Sequence, residues 1–199
     1  MSTAYNKLFY FSFSDNLYVA KAPEVSGACC DGMTAADAYT ALDDIIDLCA
    51  DSCRQNRIPL YDPLKKLEST SPLVLEVASH IVKSRKSVTL LQLQDLCYYC
   101  KVWSLIWFDT PLYREEFQAW ADGPVNADLF RKLQENQTVR PEELQFPHAF
   151  SDSEEWFINC ILTAYGCESG DDLCAISHAA RMPETGPEVT DPKRHRPPA

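Results

Sequence analysis

Glycine is scarce in this sequence, and long hydrophobic runs are missing. The 199 residues include six glycines, and none belongs to a glycine-rich loop of the kind that cradles phosphate. No stretch of about 18 consecutive apolar residues is present, so the sequence predicts no membrane-spanning helix. The N-terminus also lacks a basic segment followed by an apolar one, which argues against a secretory signal.

Clustered positive charge is equally lacking. The formal net charge is −11, and the acidic residues are spread over the body of the chain. Nucleic-acid binding requires grouped lysines and arginines that neutralise phosphates, so this class of function is disfavoured. Excess negative charge keeps a protein in solution and can attract a basic partner.

Nine cysteines are present, which is an odd number. Without a secretory signal, an odd count spread through helical segments argues against a disulfide framework. We therefore expect free thiols and a cytoplasmic location.

The hydrophobic fraction of 46% is sufficient for a packed core. Near the N-terminus, Phe9, Phe11 and Phe13 alternate with period two, and residues 14–16 are typical of a turn. We predict a hairpin that returns over residues 17–20. A loop over 22–33 and a helix from a Thr34 cap to about Arg57 complete an N-terminal extension, residues 1–70.

The remainder reads as helices joined by loops, which predicts a mainly α fold, a helical bundle with a minor β element. Ser71-Pro72 is expected to open one helix, and a Thr89/Gln92 capping box opens a long central one ending near Phe108. A short extended piece near 112–120 and a Gly-Pro turn follow. Later come a helix capped by Asn126, a loop over 134–150, a helix from the Ser151/Glu154 box, and a last helix from Ser169.

Several blocks then resemble, in order and spacing, the Panacea (SocA-like) antitoxin domain over about residues 70–183. The most specific block is Ala119-Trp120-x-x-Gly123-Pro124-Val125. The others are Val77-Ala78-x-x-Ile81-Val82, Thr89-Leu90-x-x-Leu93-Gln94-x-Leu96-x-Tyr98-Tyr99 and Leu173-x-x-Ile176-Ser177-His178. The resemblance divides the chain into residues 1–70, a helical domain over 71–183, and a disordered tail over 184–199.

The resemblance implies a non-enzymatic antitoxin of a toxin–antitoxin system, without a cofactor, that neutralises a cognate protein toxin by direct contact. Such domains are often found in prophages, and one relative is an adaptor that delivers its toxin to a Clp-type protease. The toxin would be encoded next door, residues 1–70 would adjust the choice of partner, and a homo-oligomer is possible. The implied signature or partner-binding residues are Leu93, Gln94, Tyr98, Tyr99, Trp120, Gly123, Pro124, Val125 and His178.

The sequence departs from the family pattern at two places. Asp95 reverses a charge on a helix face that we expect to be exposed, and no tryptophan follows Pro183. Trp120 itself has a simpler interpretation as a packing anchor of the core, with Gly123-Pro124 only shaping the turn.

Two other functions stay open. Cys49, Cys53, Cys97 and Cys100 form two pairs that could bind zinc or sense redox state, but both pairs fall on apolar stripes, where free cysteine behaves as a small hydrophobe. Alternatively, the chain is a prophage-type accessory protein that binds a host factor. A hydrolase is disfavoured, because no serine or cysteine stands at a recognisable spacing from a base such as His178.

Overall fold

The computed structural model describes residues 5–13, 15–25, 27–56, 66–120, 123–166, 173 and 176. Within these residues the chain is mainly helical, with three small antiparallel sheets. The helices are α1 Ala35–Asn56, α2 Val74–Arg85, α3 Leu90–Phe108, α4 Ala127–Leu133 and α5 Asp152–Tyr165. The strands are β1 Leu8–Ser12, β2 Leu17–Lys21, β3 Cys29–Gly32, β4 Val88–Thr89, β5 Gln118–Trp120, β6 Gly123–Val125 and β7 Thr138–Val139. The mainly α class is confirmed, while the bundle arrangement stays a prediction.

The N-terminal hairpin is confirmed, but it is part of a three-stranded sheet in the order β1-β2-β3. The expected loop over 22–33 was wrong for its second half, because β3 pairs there with β2. Val19 lies opposite Tyr10 in the register. Because side chains alternate across a strand, Leu8 and Tyr10 face the larger core, and Phe9 faces the smaller core beneath α1.

Helix α1 begins where the sequence indicated. The Thr34 amide donates to Asp37, and the Asp37 amide donates to the Thr34 hydroxyl, both over 3.2 Å. One face of the helix packs on β2 and β3. The buried residues of that face are Ala38, Leu42, Ile46 and Ala50. Residues 57–65, where we expected the helix to end, lie outside the described residues.

Helix α3 is the centre of the larger core, as its length and aromatic content indicated. The Thr89/Gln92 capping box is present, with the Gln92 amide 3.1 Å from the Thr89 hydroxyl. Every residue from 93 to 100 is buried. Helices α2, α4 and α5 and strand β6 all pack against α3.

An aromatic cluster joins the N-terminal sheet to this core. The ring of Tyr165 on α5 stacks on Tyr99, with centroids 4.4 Å apart, and contacts Tyr10 of β1 at 5.4 Å. Its hydroxyl accepts a hydrogen bond from Trp103 Nε1 over 3.0 Å. Tyr165 therefore connects α5 both to α3 and to the sheet.

Helix α2 begins two residues later than predicted. Its N-cap is Leu73, not Ser71, because the Leu73 amide donates to the Glu76 carboxylate over 2.7 Å. Ser71 has a positive φ of 57° and lies before this cap. Leu73 itself is 55% exposed.

The segment 134–150 is also more ordered than predicted. Its strand β7 pairs with β4, and Val88 and Val139 are both buried at that pairing. The Ser151/Glu154 capping box that opens α5 is confirmed. Glu154 is buried and also accepts hydrogen bonds from the Thr70 amide and hydroxyl, which fastens residues 66–73 to α5.

Leu173 and Ile176 are helical and buried, which agrees with a last helix at that place. His178, the rest of that helix and the tail 184–199 lie outside the described residues. No helix in the described part of the chain is long and apolar enough to cross a membrane.

Replacing Tyr10 with alanine tests the joint between the sheet and the helices. Tyr10 is 6% exposed and contacts Tyr165, so we expect a loss of about 3–5 kcal/mol in the free energy of unfolding. Chemical denaturation measures it. Phe13→Ala, at a side chain 49% exposed, is the control and should change stability by less than about 1 kcal/mol. Equal losses of stability in the two variants would show that the contact of Tyr10 with Tyr165 does not stabilise the fold.

Candidate protein-binding surface

Gln94 connects the central helix to the segment after β6. Its side-chain oxygen accepts from the Asn126 amide over 2.9 Å, and its side-chain nitrogen donates to the Asn126 carbonyl over 3.3 Å. Both residues are 2% exposed. The amide of Gln94 thus pairs with the backbone as a neighbouring strand would. It satisfies the buried Asn126 amide, whereas the Asn126 carbonyl also accepts from the Phe130 amide over 2.9 Å.

Asn126 extends this connection in two further directions. Its Oδ1 accepts from the amides of Asp128 and Leu129, which caps α4 as predicted. Its Nδ2 donates to the Glu116 carbonyl over 3.0 Å. One buried asparagine therefore fixes the start of α4, the end of β6 and the segment before β5.

The signature block Ala119 to Val125 forms a β-ribbon. Strands β5 and β6 pair with Trp120 opposite Gly123 and Gln118 opposite Val125. The predicted Gly-Pro turn was wrong, because Gly123 and Pro124 are in β6, beyond the reversal. Gly123 has a φ of 117°, which residues with a side chain rarely adopt. The extended piece is also shorter than expected, since residues 112–117 form no strand.

Trp120 is not part of the buried core, so its interpretation as a core anchor was wrong. Its side chain is half-buried, with its ring 5.0 Å from that of Phe130 on α4 and its Nε1 bonded to Gln118. Gln118 and Ala119 beside it are exposed, whereas Gly123, Pro124 and Val125 are buried. The ribbon therefore has one strand against α3 and the other facing outward.

The segment that leads into the ribbon is tied down along α3. Ser104 Oγ accepts from the Leu112 amide over 2.8 Å, and the Tyr113 hydroxyl donates to the Cys97 carbonyl. Lys101 Nζ binds the Glu115 carbonyl over 2.6 Å and forms an ion pair with Glu116 over 3.1 Å. These contacts hold the ribbon in one position relative to the central helix.

The structure brings some of the expected signature residues together and separates others. Gln94 and the ribbon meet, and Tyr98 packs on Phe117 just before β5, with centroids 5.6 Å apart. Leu93 is buried in the core, and the Tyr99 hydroxyl donates to the Leu173 carbonyl. Among these residues, Trp120 alone presents a substantial side-chain surface to solvent.

Asp95 is buried, so the expectation of an exposed face was wrong. It is fully excluded from solvent, and neither carboxylate oxygen has a hydrogen-bond partner. Burial without a partner raises the pKa of Asp95 to about 8 from an ordinary value near 3.8, because a charged carboxylate is poorly solvated there. The carboxyl group is consequently protonated at neutral pH.

The two cysteine pairs lie in different parts of the structure. Cys97 and Cys100 are buried in the larger core, and burial raises the pKa of both thiols. Cys49 packs on the smaller core under α1. Among the described residues no group of three or more histidine, cysteine or acidic side chains could hold a metal ion. The geometry gives the four-thiol hypothesis no support.

A chain of contacts resembling a hydrolytic triad lies near α5. Thr70 Oγ1 is 2.7 Å from His148 Nε2, and His148 Nδ1 is 3.0 Å from Glu76. However, the Thr70 hydroxyl carries a single proton, and it donates that proton to Glu154 over 2.6 Å. A nucleophile must instead give its proton to the base. The contacts connect residues 66–73 to α2 and α5.

Comparison with protein families bears on the ribbon and the central helix. Residues 93–183 match the family model described as Antitoxin SocA-like, Panacea domain. The resemblance noted in the sequence is confirmed over this segment, which includes both residues of the Gln94–Asn126 pair as well as the ribbon. The N-terminal sheet, α1 and α2 lie outside the match. No curated protein and no solved structure matched the chain.

Sequence reasoning missed the burial of Asp95 and the contact of Trp120 with Phe130. A signal for Asp95 was present, since residues 93–100 lack the polar stripe of a half-exposed helix. No sequence signal predicts the contact of Trp120 with Phe130, because the two residues lie in different elements, β5 and α4.

The variant Gln94→Ala tests the link between α3 and the ribbon. It leaves the buried amide of Asn126 without a partner, while the Asn126 carbonyl still accepts from the Phe130 amide, so we expect a loss of about 1–3 kcal/mol in the free energy of unfolding. Denaturant titration measures it. Gln145→Ala, at an exposed side chain, should change stability by less than about 0.5 kcal/mol. If Gln94→Ala lost no more stability than this control, the hydrogen bonds of Gln94 to Asn126 would not stabilise the fold.

The buried carboxyl of Asp95 should make stability depend on pH. Folded Asp95 binds its proton up to about pH 8, but the unfolded group releases it near 3.8, so rising pH between these values favours unfolding. The slope is at most about 1.4 kcal/mol per pH unit. Asp95→Asn should flatten the profile, measured by denaturation from pH 5 to 8. Asp44→Asn, at an exposed site, should leave it unchanged. Identical slopes for wild type and Asp95→Asn would rule out this titration.

Proposed function

We propose that this protein is the antitoxin of a toxin–antitoxin system and neutralises a cognate protein toxin by direct binding. The single observation that carries the proposal is the match of residues 93–183 to the SocA-like Panacea antitoxin domain. The role is one of binding rather than catalysis. We assign it to the cytoplasm, because the described cysteines are free thiols, as in a reducing compartment.

The outward side of the β5–β6 ribbon is the binding surface we favour within the Panacea domain. Trp120 is half-buried there, next to exposed Gln118 and Ala119, and its ring contacts that of Phe130. Tryptophan is enriched among the residues that dominate binding energies at protein interfaces. The ribbon is held by Gln94, Asn126 and Lys101, so little conformational freedom is lost when it binds.

Binding through this surface can neutralise the toxin by either of two mechanisms. Binding alone would cover the active site of the toxin, whereas an adaptor would hand the bound toxin to a Clp-type protease. The two differ in the lifetime of the toxin in cells, which falls only in the second case.

Co-expression with the product of the neighbouring gene tests the proposal. We expect that this product arrests growth alone, that co-expression restores growth, and that the two proteins co-purify. Trp120→Ala should weaken the complex at least about tenfold, equivalent to about 1.4 kcal/mol, because it removes the exposed ring. Affinity measured by calorimetry decides this.

Trp156→Ala is the matched control, since Trp156 is also half-buried but lies on α5 and packs on the core. It should leave the affinity within about twofold of wild type when the protein is folded. A neighbouring product that neither binds nor arrests growth would refute the antitoxin function and favour a host-factor partner.

A further inference from the structure

Helix α1 has an outward face that nothing in the described chain covers. The face opposite its packing side carries Asp37, Asp44, Leu48 and Asp51, which helical spacing places on one side, and all four are exposed. The packing side already buries Ala38, Leu42, Ile46 and Ala50 against the sheet. The outward residues therefore contribute nothing to the core.

Leu48 is unusual on this face because it is 70% exposed in the middle of a helix. Asp44 lies one turn before it and Asp51 nearly one turn after it. A large apolar side chain surrounded by charge has the arrangement of an interface anchor with a polar rim.

Asp37 caps the start of this helix, but the other acidic residues lie beyond the cap. Helix α1 contains five aspartates and one arginine, and Arg54 pairs with Asp51 over 2.6 Å. Asp44, Asp47 and Asp51 follow at spacings of three and four, where like charges destabilise a helix. Capping of the helix therefore does not account for the acidic residues around Leu48.

We propose that the outward face of α1 is a docking surface for a basic segment of the protein partner, with Leu48 entering an apolar recess rimmed by lysine or arginine. The inference rests on the proposed antitoxin function and names the chemistry of its partner. Charge complementarity selects this occupant, because a net charge of −4 on one helix disfavours a second acidic copy of the same chain. Since α1 lies outside residues 93–183, the surface belongs to the part of the chain not shared through the Panacea domain.

Photo-crosslinking locates the partner. A benzophenone amino acid replaces Leu48 in the full chain, and the probe is the product of the neighbouring gene. The control carries the same group in place of Ile106 on α3, which is 61% exposed but lies away from α1. We expect a heterologous crosslink from position 48 and none from 106. Crosslinks from 106 alone, or crosslinks from 48 only to a second copy of this chain, would overturn the inference.

Charge reversal measures the electrostatic contribution. The double variant Asp44→Lys, Asp51→Lys should bind the same probe at least about tenfold more weakly at low salt and lose most of its salt dependence. Glu135→Lys with Glu142→Lys is the matched control, because both glutamates are exposed and the change in net charge is the same. The control should bind within about threefold of wild type.

The outcomes separate the two proposals. A complex that forms with wild type and with the α1 double variant equally well overturns the docking surface and leaves the antitoxin function standing. Equal weakening by the control pair also overturns it, since only overall charge would then matter. If wild type forms no complex, the antitoxin function fails, and the docking surface fails with it.

Discussion

Burial of the first half of α3 on all sides is the constraint on which the structure depends. Residues 93–100 all face other parts of the chain, so every element of the larger core is arranged around this helix. Aromatic rings fill one side through Tyr99 and Tyr165, and a side-chain amide satisfies the backbone on another through Gln94. A helix buried all round leaves no room for an unpaired charge, and Asp95 accordingly keeps its proton.

The N-terminal sheet is connected to α5 by contacts from β1 and β2. Tyr10 reaches Tyr165, and Lys21 donates to the Ala164 carbonyl at the end of α5. The sheet thereby contributes to both cores, one on each face. Because the extension is fixed in this way, the outward face of α1 is held at a defined place relative to the ribbon. A partner could then contact both surfaces, and two linked contacts bind more tightly than either alone.

Predictions made from local sequence patterns agree best with the structure. The capping boxes at Thr89 and Ser151, the Asn126 cap and the Thr34 cap all lie where they were predicted, because each involves residues two or three positions apart. The errors concern pairing between distant segments. Strand β3 pairs with β2 and strand β7 with β4, and two-residue or irregular strands have too few positions to show a period.

The sequence by itself determined the mainly helical class, the order of the helices and the resemblance to the Panacea domain, because helical periodicity and short motifs are local properties. Tertiary structure alone decided which faces are covered. It placed Asp95 inside, Trp120 partly outside, and the paired cysteines in separate cores. Burial depends on which distant segments meet, and the pairing of a Gln94 side chain with the Asn126 backbone across 32 residues leaves no periodic trace in the sequence.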